Sequence, residues 1–95
     1  MVTQTMVDEF KERMHMDGDD EDDNLRRLLS FSVASLQDRC GEFDVEENHQ
    51  AKELVFERTR YAYNDALEYF DDNFLSDITN LGLSLMPKDD ADATV

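Results

Sequence analysis

The sequence predicts an all-α protein: a small three-to-four-helix bundle with an extended C-terminal arm. Three observations carry that reading. Apolar residues between Leu25 and Cys40 recur at helical spacing. No glycine or proline interrupts the stretch 42–81. Glycine occurs only at Gly18, Gly41 and Gly82 and proline only at Pro87, so the breakers divide the chain into a few long segments.

The first helix opens at Thr5, which forms a capping box with Asp8, and runs to about Met14. Met6, Val7, Phe10 and Met14 supply its apolar positions, and a loop carrying Gly18 follows. The second helix starts within Asp19–Asp23, where carboxylates suit the free N–H groups and the positive dipole end. Leu25, Leu28, Leu29, Ser32, Val33, Leu36 and Cys40 then share one face. Asp22–Arg26 and Asp23–Arg27 are i,i+4 pairs in the favourable order, each worth roughly 0.2–0.5 kcal/mol. Gly41 is the stop signal.

The third helix is expected from about Glu46 to about Phe70, with Ala51, Leu54, Val55, Arg58, Tyr61, Ala62 and Ala66 on one side. At 1.5 Å per residue it spans ~37 Å. A globule of this chain length is about 30 Å across, so part of the helix overhangs. Its aromatics point around the axis, which makes Phe56, Tyr63, Tyr69, Phe70 and Phe74 candidates for contacts between subunits. A short helical turn, Phe74 to Ile78, comes next. Leu81, Leu83 and Leu85 alternate with Gly82 and Ser84, a period of two that predicts extended backbone over 80–86. One strand in a helical chain either adds to a sheet edge elsewhere or lies over its own helices. The organisation is therefore a helical domain, 1–79, and an arm with an acidic tail, 80–95; from Lys88 onwards the composition reads as disordered.

Composition narrows the function classes. Ninety-five residues make one domain. Nine Lys and Arg against 24 Asp and Glu leave a net charge of −15. Such a chain lacks the basic face that direct binding of DNA phosphates needs. The acidic balance permits imitation of nucleic acid or repulsion of it. Cys40 is the only cysteine, which excludes an intrachain disulfide and fits a reducing compartment. The first residues lack a basic segment and a following apolar run, so neither a signal peptide nor a membrane span is read.

No catalytic constellation stands out, and the chain is read as a non-enzyme without a cofactor. An EF-hand loop begun at Asp17 would put Asp22 where glycine is required and Leu28 where the bidentate Glu belongs. His15, Cys40 and His49 lie on three different segments, without the spacing of a zinc site. Adjacent carboxylates such as Glu46/Glu47 and Asp71/Asp72 diverge by about 100° on a helix and do not face one another across a substrate.

The short first helix, the run Asp19-Asp20-Glu21-Asp22-Asp23 leading into Leu25, Leu28, Leu29 and Ala34, and the stop at Gly41 form a pattern. With it goes the stretch from Arg58 to Phe70 followed by Asn73, Phe74, Leu75 and Ile78. This pattern, over roughly residues 3–86, resembles the small head–tail connector (adaptor) proteins of long-tailed bacteriophages. The resemblance implies a virion protein, made in the host cytoplasm, that forms a twelve-membered ring beneath the portal protein. Such a ring extends the DNA channel and docks a stopper or tail-completion protein. On that reading Leu81, Leu83 and Leu85 form a portal-docking arm. Asp17, Asp19, Asp20 and Glu21, or Asp71 and Asp72, face the channel, where carboxylates let DNA slide without sticking. The alternative is an acidic helical DNA mimic that inhibits a host nucleic-acid-binding protein.

Overall fold

Thr3, not Thr5, opens the first helix. In the computed structural model, which describes residues 2–87, α1 spans Gln4–Met14 and the Met6 N–H donates to Thr3 Oγ1 at 3.2 Å. Met6, Val7 and Phe10 are fully buried along one face. The helix ends at His15, whose backbone is left-handed (φ 58°). There the N–H groups of His15 and Met16 turn back to the carbonyls of Glu12 and Lys11, at 3.2 and 2.9 Å. That is a Schellman closure with histidine in the glycine position.

The chain turns at Gly18 and enters α2, Asp22–Cys40. The face read from the sequence is the buried one: Leu25, Leu29, Ser32, Val33 and Leu36 are inside, and Leu28 and Cys40 are half-buried. The two i,i+4 ion pairs do not form. Asp22 is taken instead by Lys11 of α1 at 2.8 Å, and Arg26 bonds Asp23 at 3.2 Å and the Gln4 side chain.

α3 is His49–Tyr63, capped by Asn48, whose side chain accepts from the Ala51 N–H at 3.0 Å. Its 15 residues span about 22 Å, so the expected overhang is absent. Asp65 stops it. With φ 59° it stands at the left-handed position, while the Ala66 and Asp65 N–H groups bond Tyr61 and Ala62 carbonyls at 2.8 and 3.1 Å. A 3₁₀ turn, Leu67–Tyr69, leads to α4, Phe70–Asn73, and α5, Leu75–Ser84. Phe74 hinges the last two, its N–H bonding the Phe70 carbonyl and its carbonyl accepting from Ile78, both at 2.9 Å.

The all-α class holds, and among the described residues there is no strand. The extended arm is a correction. Residues 80–84 continue α5, and the expected domain boundary at 79/80 falls inside that helix. In a helix Leu81 and Leu85 share a side and Leu83 faces the other way. Leu81 is fully buried, Leu85 is half-buried, and Leu83 is 61% exposed. Ile78 and Leu81 anchor the helix, which passes α2 at Gly82, where an added Cβ would sit 3.8 Å from Cys40 Cα, an ordinary contact. The expected tail from Lys88 to Val95 lies outside the described residues.

α2 and α3 pack antiparallel, with Glu21 at the start of one bonded to Tyr63 at the end of the other at 2.7 Å. Midway, two buried hydroxyls meet: Ser32 Oγ and Thr59 Oγ1 are 2.9 Å apart. Thr59 Oγ1 lies 2.8 Å from the Val55 carbonyl and Arg58 Nη1 lies 3.2 Å from Ser32 Oγ. Each hydroxyl has one proton, so Arg58 donates to Ser32, Ser32 to Thr59, and Thr59 to Val55. α1 closes one side through Phe10 against Phe56, ring centroids 5.8 Å apart, and α5 crosses the end of α2.

Candidate docking surfaces

The carboxylates singled out in the sequence form two groups at opposite ends of α2. Asp17, Asp19, Asp20 and Glu21 are exposed in the α1–α2 loop. Asp71 and Asp72 are exposed on α4, where Asp71 pairs with Arg39 at 2.7 Å. From Asp22 to Arg39 the helix rises about 26 Å, so the fold does not bring the groups together. The loop is tied down at two points. The Lys11 ammonium holds the Asp22 carboxyl below the usual range, and Asp22 holds Lys11 above its own. Glu21 accepts from the Tyr63 hydroxyl and pushes its ionisation up. Asp72 makes no ion pair among the described residues.

The aromatic candidates divide. Phe56 and Phe70 are core residues and give no contact area to another subunit, which corrects the expectation for both. Phe56 packs on Phe10 with the Arg13 guanidinium 5.4 Å and the Lys52 ammonium 5.9 Å from its ring centroid. Phe70 stacks on Phe74 at 5.1 Å, and both meet Tyr61 edge-on at 5.8 and 5.7 Å. This cluster exists because the chain breaks at Asp65 and folds back on α3; on one continuous helix Tyr61 would have pointed away from Phe70 and Phe74. Phe74 and Tyr63 are half-buried, and Tyr69 is 59% exposed.

Of the large apolar side chains that stand outside, Leu83 is read from the sequence as a contact residue, and Phe31, Leu75 and Met86 are not. Phe31 is 59% exposed on α2, opposite the helix's buried face. Leu75 and Leu83 lie within about 80° of one another on the outer side of α5, and Met86 follows the helix; all three are more than half exposed. The available signal was Phe31's position off the Leu25–Leu36 face. For α5 it was the helical spacing of Leu75, Ile78, Leu81 and Leu85.

No family model, curated protein sequence or solved structure matches this chain.

Between α3 and α5 runs a groove of about 250 Å³ lined by Gln50, Glu53, Leu54, Glu57, Phe74 and Asp77. Leu54 and Phe74 make an apolar floor, and the three carboxylates stand around it. Arg13 pairs with Glu53 and Arg60 with Glu57, both at 2.6 Å. Asp77 has no ion-pair partner among the described residues.

No His, Cys, Asp and Glu cluster among the described residues could hold a metal ion. His15 and His49 are exposed. Cys40 is half-buried, its thiol 3.5 Å from the Ile78 carbonyl, and burial pushes its ionisation up. It is a packing residue and not a nucleophile poised as thiolate. No described helix is long and apolar enough to cross a membrane.

Proposed function

We propose that this protein is a structural head–tail connector of a tailed-phage virion. It assembles as a ring under the portal, prolongs the DNA channel and offers the next docking surface to a stopper or tail-completion protein. The carrying observation is the placement of Phe31, Leu75, Leu83 and Met86 on outward faces of an acidic helical body. A monomer gains nothing from leaving such area in water, whereas a subunit with neighbours on several sides buries it.

The element order supports the same reading. A short first helix and an acidic entry into a long amphipathic helix that stops at Gly41 are among the features on which the connector resemblance rests, and α1 and α2 follow that order. The portal contact moves from the expected strand to the outer stripe of α5. Leu83 and Leu75 reach a partner there, and Leu81 belongs to the core. An acidic loop at one end of α2 and an acidic α4 at the other leave either end free to face DNA, where carboxylates repel phosphate. A DNA mimic needs its charges on one face, and here the two groups lie at opposite ends of α2, with Asp22 and Asp71 already matched to Lys11 and Arg39.

The test is reconstitution with a purified portal, viewed by electron microscopy. A closed ring of subunits on one portal face is the expected result. Leu83→Asp should leave the fold intact, because residue 83 is exposed, and should abolish attachment. Scattered single copies on the portal, or none, refute the connector. Tight capture of a DNA-handling enzyme would establish the mimic instead.

A further inference from the structure

The outward ring of Phe31 and the groove between α3 and α5 lie on opposite sides of the α2–α3 pair. α2 meets α3 through Ser32, Val33 and Leu36, and Phe31 is turned roughly half a circle from that face. On α3 Ala51, Val55 and Thr59 share the side that carries the Ser32–Thr59 contact; Gln50, Glu53 and Glu57 fall roughly 140–160° round the helix from it, and buried Leu54 lies between the two sides. One side therefore carries an aromatic projection and the other an apolar recess.

Charge matches shape. One turn before Phe31 stands Arg27, exposed and without a carboxylate within ion-pair distance among the described residues. Most other described cations are held in ion pairs within the chain: Lys11, Arg13, Arg26, Arg39, Lys52 and Arg60. Arg58 is instead half-buried against Ser32. The groove shows the complementary state, because Asp77 at its rim is an exposed carboxylate without a cation.

We infer that Phe31 of one copy seats in the Leu54–Phe74 groove of the next, with Arg27 set against Asp77. The projection and the recess are different surfaces, so the contact is head-to-tail, and its repetition closes a ring or runs on as a chain. A second copy suits the recess because the same chain supplies both an unpaired cation next to an exposed aromatic ring and an unpaired anion next to an apolar floor. The inference deepens the connector reading and rests on it for the ring, but its contact is testable without a portal.

Two variants separate the halves. Phe31→Asp removes the projection and keeps the groove; Gln50→Trp, at an exposed position, fills the groove and keeps Phe31. Circular dichroism first establishes that both remain helical. Sedimentation equilibrium then follows each protein up to about 1 mM. The wild type is expected to associate beyond dimers and each variant to lose association at least tenfold. An equimolar mixture of the two should recover a heterodimer and stop there, since only one productive contact remains. Asp77→Lys should weaken wild-type association, and Arg27→Glu in the same chain should restore it. A wild type that stays monomeric overturns the inference, as does either variant associating like the wild type. So does a mixture that remains monomeric, or Gln50→Trp losing portal attachment while copies never contact one another. Failure of the wild type to attach to the portal, with the mixing experiment positive, would instead remove the connector reading.

Discussion

Replacing Gly82 by alanine places one methyl group between α5 and the C-terminal end of α2. The new Cβ would stand 3.8 Å from Cys40 Cα, an ordinary van der Waals separation, so nothing has to move. What remains is the backbone term. Glycine inside a helix costs ~1 kcal/mol relative to alanine, and residue 82 lies near the helix end, where part of that is realised. The expected gain is about 0.5–1 kcal/mol, or roughly 2–8 °C in Tm for a chain of this length. Gly82→Leu should do the reverse. With its Cβ already in contact with Cys40, a longer side chain crowds the α2–α5 crossing, and overpacking of that kind costs about 1–3 kcal/mol. Thermal and urea denaturation followed by far-ultraviolet circular dichroism measure both. An alanine variant with unchanged or lowered stability would refute the helical assignment at residue 82 and the helix spacing beside it.

Leu36→Ala removes a fully buried side chain between α2 and its neighbours and should cost about 2–5 kcal/mol by urea denaturation; a loss below about half a kcal/mol would mean that the core lies elsewhere. For the Lys11–Asp22 pair, the carboxyl is lowered and the ammonium raised. The pair's contribution is therefore complete between the ordinary ranges of the two groups. It fades as pH falls through the lowered Asp22 value and again as pH rises through the raised Lys11 value. Asp22→Asn should flatten the acid limb of a stability-against-pH curve, and an unchanged limb would show that the pair does not contribute. If the α1–α2 loop faces the channel, Asp17, Asp19 and Asp20 replaced together by lysine should slow DNA exit from reconstituted particles, most strongly at low salt; normal release there would assign the loop elsewhere.

Much of α1 and α2 was legible because their signals are local. The Leu25–Leu36 face needed only periodicity, and Gly41 needed only the habit of glycine at helix ends. α3 was overextended for a specific reason: Asp65 takes the left-handed conformation that a reader expects of glycine, and the chain without glycine from 42 to 81 looked unbroken. Once the break is missed, Phe70 and Phe74 project onto the wrong cylinder and appear as surplus surface. The period of two at Leu81, Leu83 and Leu85 was a coincidence of leucines. The spacing Ile78, Leu81, Leu85 is helical and marks the buried side, and Leu75 and Leu83 depart from it. The surface was least legible. Phe31 becomes a candidate contact only when the opposite groove, assembled from α3 and α5, is seen with it.

The hydroxyl chain through Ser32 and Thr59 gives the α2–α3 pair a mechanical property. Two purely apolar helix faces can be reset by a whole turn by exchanging one set of apolar contacts for another. Here a shift of one turn, about 5.4 Å, parts the two hydroxyls and leaves them in dry surroundings, each costing about 1–3 kcal/mol. The pair therefore behaves as a pinned joint and not as a greased bearing. A load applied to α3 through its outer groove passes to α2 without slack and arrives at Phe31 on the far side. In the proposed ring, a subunit loaded on one flank would push on its neighbour as a rigid strut.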